Sequence, residues 1–278
     1  MKLKTMGVVA WMLRWDLLAV VVVAGLMMML SSRLPFQSVA QIVPLMGVVV
    51  SIFIGFRNTS AYNRWLAARN VWSTLQSNSR ALSNALIAVE TPGQSIAETA
   101  GRMRRRQARY LWQLGAELRG LPVPADIVAL TPEDPPVAGA GELLALQAKD
   151  IHAMVAAEGI DRQARSVLVN INSAVAVAAG NLEPPDRQPI PVPYEVFIRA
   201  VAWFFAFMVC TRLDSAGHSN WLGLGVAVLV MVLFIVAERF GHFISEPMST
   251  TPFGLPVDRF CAEVSVDLLG PHHPRARL

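Results

Sequence analysis

The sequence predicts an all-α membrane protein, with four transmembrane helices joined to a helical cytoplasmic region. Three observations carry that reading. Four apolar stretches, residues 17–30, 39–56, 200–210 and 221–237, stand apart from a more polar chain. Of the 278 residues 54% are hydrophobic and only 16% charged, against about 25% charged in an ordinary soluble domain. No period-two alternation of any length appears, whereas the 3.6-residue period of helices recurs through the long polar middle.

Taken in order, the first element begins like a signal peptide, with Lys2, Lys4 and Arg14 ahead of the run 17–30. Ser31-Ser32-Arg33-Leu34-Pro35 lacks the small-x-small pattern of a cleavage site, and further apolar segments follow, so the run is read as a retained membrane helix. It extends back through residues 8–13 if Arg14 and Asp16 pair or face protein. The second run approaches the ~18–20 residues that span a bilayer unaided. Pro44 within it removes a backbone donor and is expected to kink the helix. Residues 61–89 read as a long helix continuing from it, with Tyr62, Trp65 and Trp72 along its length, and Thr91-Pro92-Gly93 ends it.

A second polar helix covers about residues 95–118 and stops at Gly120-Leu121-Pro122-Val123-Pro124. A connector rich in proline and glycine follows, with Pro132, Pro135, Pro136, Gly139 and Gly141. Helices are expected near 142–157 and 161–182, split by Gly159, with Asp161 as N-cap of the latter. Pro184-Pro185 through Pro193 break the chain before the third run, which extends back to Tyr194 if Arg199 snorkels to an interface. The runs 17–30 and 200–210 are short enough to be soluble core helices; a bundle whose members shield each other's polar residues fits them better. The expected domains are 1–56 (N-terminal segment and membrane helices 1 and 2), 57–193 (helical cytoplasmic region), 194–240 (membrane helices 3 and 4) and 241–278 (cytoplasmic C-terminal segment).

Charge placement sets the topology. Lys2 and Lys4 precede the first span, and Arg57, Arg64, Arg69 and many more follow the second, while the turns 31–38 and 212–220 carry few. Both termini and the middle region therefore belong in the cytoplasm of a multi-pass protein. The net charge of +4 favours contact with an anionic leaflet over nucleic acid, for which no recognition motif is present. Cys210 and Cys261 are too far apart in sequence to form a zinc motif or a disulfide framework. There is no P-loop, dinucleotide turn, nucleophile elbow or His-Glu-x-x-His, so no enzyme and no cofactor is expected. The arginines at 102, 104, 105, 106 and 109 could bind anionic lipid heads or a partner, but a solvated face with intersubunit ion pairs is the plainer reading. Glu238, His242 and Glu246 share the i, i+4 spacing of a metal site, although an ion-pair ladder at a helix end is favoured. His272 and His273 lie in a proline-flanked tail; His152 and His218 have no local catalytic partners.

The stretch from Phe53 to Trp65, reading Phe-Ile-Gly-Phe-Arg-Asn-Thr-Ser-Ala-Tyr-Asn-Arg-Trp, resembles the bestrophin family, and Ala68-Arg69-Asn70-Val71-Trp72 with Ser79-Arg80 fits its bacterial members. Pro189-Ile190-Pro191-Val192-Pro193-Tyr194 is similar to the family's proline-rich entry into its third membrane helix. Glu246-Pro247 and Pro252-Phe253-Gly254-Leu255-Pro256-Val257-Asp258 resemble the segment after its last span. The three occur in the family's order and cover nearly the whole chain.

The resemblance implies a homopentamer in the cell membrane, of the bacterial inner-membrane type, with small ions passing an axial neck formed by the second helix of each subunit. It places the neck's hydrophobic rings at Val48, Ile52 and Phe56. Their i, i+4, i+8 spacing puts them on one helix face, about 6 Å apart in height, and stacked apolar rings gate by dewetting. The same spacing suits an ordinary lipid-facing helix. Gly47, Ser51 and Gly55 form a neighbouring stripe that would let helices approach closely. The resemblance also places an inner aperture near Gln163, where an apolar residue is common in the family; a polar one implies a wetter constriction. Calcium activation in eukaryotic members uses an acidic cluster after the last span. No carboxylate lies between Glu246 and Asp258 here, so no such clasp is expected. Chloride is the nominal permeant ion. A monovalent cation channel on the same scaffold, or a non-conducting membrane scaffold, are the alternatives.

Overall fold

Helices form wherever the apolar period is sustained, and in the computed structural model every regular element among the described residues (2–30, 42–89, 95–157, 159–182, 192–215 and 221–271) is a helix. Contacts divide the chain into two units, Met1–Trp65 with Pro189–Gly254 and Leu66–Gln188 with Leu255–Leu278.

The first unit contains α1 (Lys2–Leu30), the start of α2 (Val43–Val89), α7 (Val192–Ser215) and α8 (Trp221–Ile244). Among the described residues, α2 and the Gly225–Ile244 part of α8 are long and apolar enough to cross a membrane. The protein-facing stripe of α1 is Leu13, Asp16, Val20 and Ala24, and Val20 and Ala24 pack with Ala206, Met231 and Ile235. On α2 the buried stripe is Val50, Ile54, Arg57 and Ala61, with Val50 and Ile54 set against Ile198, Ala202 and Phe205 of α7. Gly47 belongs to this contact, since a Cβ there would stand 3.1 Å from the Phe205 ring. Its small size serves packing within the chain, whereas Gly55 faces open space.

Two expectations are decided here. Of the alternatives for Arg14 and Asp16, Asp16 takes the second and faces protein, accepting a hydrogen bond from Arg239 of α8 at 2.6 Å, while Arg14, about 200° round the helix, is exposed. Pro44 does not kink a span, because α2 begins at Val43. In the first turn a missing N–H has no intrahelical partner to lose, so proline is tolerated without a bend. The Thr91-Pro92-Gly93 stop, residues 39–41 of the second run, the proline entry at 184–191, and His218, His272 and His273 lie outside the described residues.

The second unit comprises the remainder of α2 with α3 (Ser95–Arg119), α4 (Ala125–Val128), α5 (Ala140–Ala156), α6 (Arg162–Gly180) and α9 (Val257–Leu269). Leu82, Leu86, Ile96, Ala100, Met103, Ile151, Met154 and Leu168 form its apolar core. A buried polar chain crosses three helices beside it. Gln147 donates to Gln107 at 2.9 Å, Gln107 to Ser79 at 2.8 Å, and Ser79 to the Leu75 carbonyl at 2.7 Å. Asp161 caps α6 as expected, accepting from the Ala164 N–H at 2.6 Å. The connector holds the single turn α4, and the C-terminal segment, to which the sequence reading assigned no element, holds the helix α9.

The arginine run on α3 is not a solvated face. Arg106 is buried and donates to both Asp134 oxygens at 2.6 and 2.5 Å, and it also pairs with Asp150. Arg102 holds Asp150 at 2.8 Å, and Arg105 holds Glu133 at 3.4 Å. Arg109 is buried and donates to Thr131 Oγ1 at 2.9 Å and to the Pro135 carbonyl at 2.7 Å. The run clamps the proline-rich connector and α5 within one chain. Burial opposes the charge on Asp134, yet the bonds from Arg106 win and hold its carboxyl below the ordinary aspartate value.

Candidate functional site

α2 presents two contrasting faces. Val50, Ile54 and Arg57 face the other helices of the first unit, while Val48, Ile52 and Phe56 are 56%, 50% and 70% exposed on the other side. Three large apolar side chains in a row, uncovered by their own chain, cost about 25 cal/mol per Å² of apolar area if water covers them. The Ser51 hydroxyl beside them is turned back onto the Val48 carbonyl at 2.8 Å. No charged side chain interrupts the triplet.

Directly after it the chain places a cation, and the fold turns it inward. Arg57 Nη1 donates to Glu238 Oε1 at 2.5 Å, and Nη2 lies 3.7 Å from Glu195 Oε1. Glu195 is shared with His242, whose Nδ1 is 3.5 Å away. Asn58 donates to the Ala237 carbonyl at 3.0 Å, and the close approach requires Gly241, where a Cβ would collide with the Asn58 side chain. Trp65 donates to the Phe253 carbonyl at 3.1 Å, seating the 246–254 segment, and Phe253 stacks on Phe243 at 5.3 Å.

The Phe53–Trp65 motif and the Pro252–Gly254 segment therefore meet in space. Glu238 and His242 belong to that junction and take partners on α2 and α7, so they form neither a ladder along α8 nor, among the described residues, part of a metal-binding group. The Arg57–Glu238 pair was missed from sequence. Arg57 continues the buried i, i+4, i+7 stripe, which was a usable signal, but a partner 181 residues away leaves no local trace.

The family model described as Bacterial/Fungal Bestrophin protein matches residues 3–269. The chain belongs to the bacterial/fungal bestrophin family. Among curated relatives of this bestrophin, the voltage-dependent anion channel-forming protein YneE of Escherichia coli (strain K12) is 26% identical over 234 residues, covering 81% of this chain and 74% of YneE. Protein mll4386 of Mesorhizobium japonicum, named in the same way, is 24% identical over 240 residues, covering 83% of this chain and 75% of its own. A crystal structure of a bacterial bestrophin homolog from Klebsiella pneumoniae superposes with a TM-score of 0.80 at 21% identity, covering 92% of this chain and 97% of that one. At that identity the superposition shows the bestrophin fold. Gln163, the residue expected at an inner aperture, is exposed in the first turn of α6 in the second unit, between exposed Arg162 and Arg165.

Proposed function

We propose that this bestrophin is the pore-forming subunit of a passive anion channel in which five copies surround one axis and Val48, Ile52 and Phe56 line the neck. The observation that carries the reading is the uncovered apolar face of α2, set opposite a buried stripe that includes a neutralised arginine, Arg57. Membership of the family and the anion-channel names of YneE and mll4386 support anion conduction. α1, α2, α7 and α8 serve as the four spans, with both termini on the cytoplasmic side of an inner membrane. The protein carries ions and catalyses no reaction.

In this arrangement each ring excludes water by its apolar surface, and conduction requires the neck to widen or hydrate. The rings carry no charge, and Arg57 is held by Glu238, so the base of the neck contributes little sign preference. Gln163 stands at the inner aperture, with Arg162 and Arg165 supplying exposed positive charge beside a polar constriction. Focused positive potential near an opening raises the local concentration of anions.

Reversal potential in planar bilayers under a KCl gradient tests the proposal, comparing wild type with the variant Val48→Ala/Ile52→Ala/Phe56→Ala. The expected result is reversal near the chloride potential and larger currents from the variant. Reversal near the potassium potential would replace the ion. Absence of current from both correctly assembled proteins would favour a non-conducting scaffold.

A further inference from the structure

Opposite its buried stripe, α1 carries Trp11, Trp15, Leu18, Val22 and Leu26 as one continuous exposed stripe. Trp11 and Trp15 are 62% and 68% exposed. Arg14 lies exposed between them, its guanidinium carbon 4.2 Å from the Trp11 ring centre and 5.6 Å from that of Trp15. Among the described residues no carboxylate pairs with it. Asp16, the nearest acid in sequence, is on the other face and bound by Arg239. The contrast with Arg57 and Arg239, each held by a carboxylate in the same unit, sets Arg14 apart.

The chemistry of this group points outward. An exposed aliphatic stripe on a membrane helix meets hydrocarbon, and indole rings at its end sit at headgroup depth, apolar ring inward and N–H toward polar atoms. From Arg14 to Leu30 the helix rises roughly 24 Å, close to the thickness of the hydrocarbon core, which puts Arg14 at one boundary. A guanidinium is a planar fork of donors matched to phosphate oxygens. Lys2 and Lys4 on the preceding turns add positive charge to the same end of the helix.

We propose that Trp11, Arg14 and Trp15 form a binding site for the headgroup of an anionic phospholipid. Arg14 bonds the phosphodiester, the two indoles flank it, and the acyl chains lie along Leu18, Val22 and Leu26. The proposal rests on reading α1 as a membrane span. The net positive charge favours a net-negative lipid over a zwitterionic one.

Indole quenching by lipids brominated on their acyl chains tests this with the full chain in vesicles. Brominated phosphatidylglycerol and brominated phosphatidylcholine are compared at equal mole fraction, with Trp11→Phe/Trp15→Phe supplying the background from the other indoles. The wild type should favour phosphatidylglycerol about fivefold, Arg14→Lys should keep part of that preference, and Arg14→Gln should abolish it while quenching by phosphatidylcholine persists. Equal quenching by both lipids in the wild type, or an unchanged preference in Arg14→Gln, would overturn the lipid site and leave the span reading intact. No quenching of Trp11 and Trp15 by either lipid would overturn both. In that case an altered subunit number in Arg14→Gln would assign the face to contact between copies.

Discussion

Between Phe56 and Arg57 the environment of α2 reverses in a single residue step of about 100°. Phe56 is the most exposed of the apolar triplet, while Arg57 is buried against Glu238. Removing one partner of such a pair leaves an uncompensated charge, which costs about 3–5 kcal/mol, whereas replacing both by apolar residues can be close to neutral. Arg57→Met and Glu238→Leu should each lower the unfolding midpoint in detergent strongly, and the double variant should recover most of the loss. An additive double variant would mean that the two groups do not act as a pair. Asp134 offers a second test, through pH. Its folded pKa lies below its unfolded value of about 4, so its contribution is complete above that value and is lost as pH falls through the folded one. Asp134→Asn should therefore be least stable relative to wild type near neutrality, and the gap in unfolding midpoint should narrow on acidification below pH ~4. A gap that stayed constant with pH would remove Asp134 as the titrating group.

At the scale of elements, packing between helices depends on small residues where neighbours come close. Gly115 on α3 is such a point, since a Cβ there would lie 2.7 Å from Val257 Cγ1 at the start of α9. Gly115→Ala should destabilise by about 1–3 kcal/mol through overpacking, and adding Val257→Ala should relieve most of it. Thermal midpoints of Gly115→Ala, Val257→Ala and the double variant check this, and absence of relief would place the strain elsewhere. Helix existence was largely legible here. α3 and α6 are bounded by local signals, Gly120 with the prolines beyond it for one and the Asp161 cap for the other. α9 falls in the C-terminal segment 241–278, to which no element was assigned, although Val257, Cys261, Val264 and Leu268 carry a helical period. Where α2 starts could not be judged from an apolar run that extends ahead of Val43, and so Pro44 was taken for a kink.

For the whole molecule, the family motifs carried the order of parts and the fold, and the Klebsiella pneumoniae homolog shares that fold over nearly the full chain. The face of α2 that holds Val48, Ile52 and Phe56 followed from spacing and resemblance together. What stayed hidden was the disposition of charge. The arginines of α3 find Asp134 and Asp150 across 28 to 48 residues, and Arg57 finds Glu238 on another helix, distances over which periodicity says nothing. The bilayer measurement belongs to this scale, because a neck exists only when several copies enclose an axis. α2 itself bears on how such a neck would move. It is unbroken from Val43 to Val89 and has no proline after Pro44, so no hinge of the usual kind interrupts it. Within the first unit, a rotation of α2 about its own axis carries Val48, Ile52 and Phe56 through one angle, so in the proposed neck the three rings would move as a single latch with one degree of freedom.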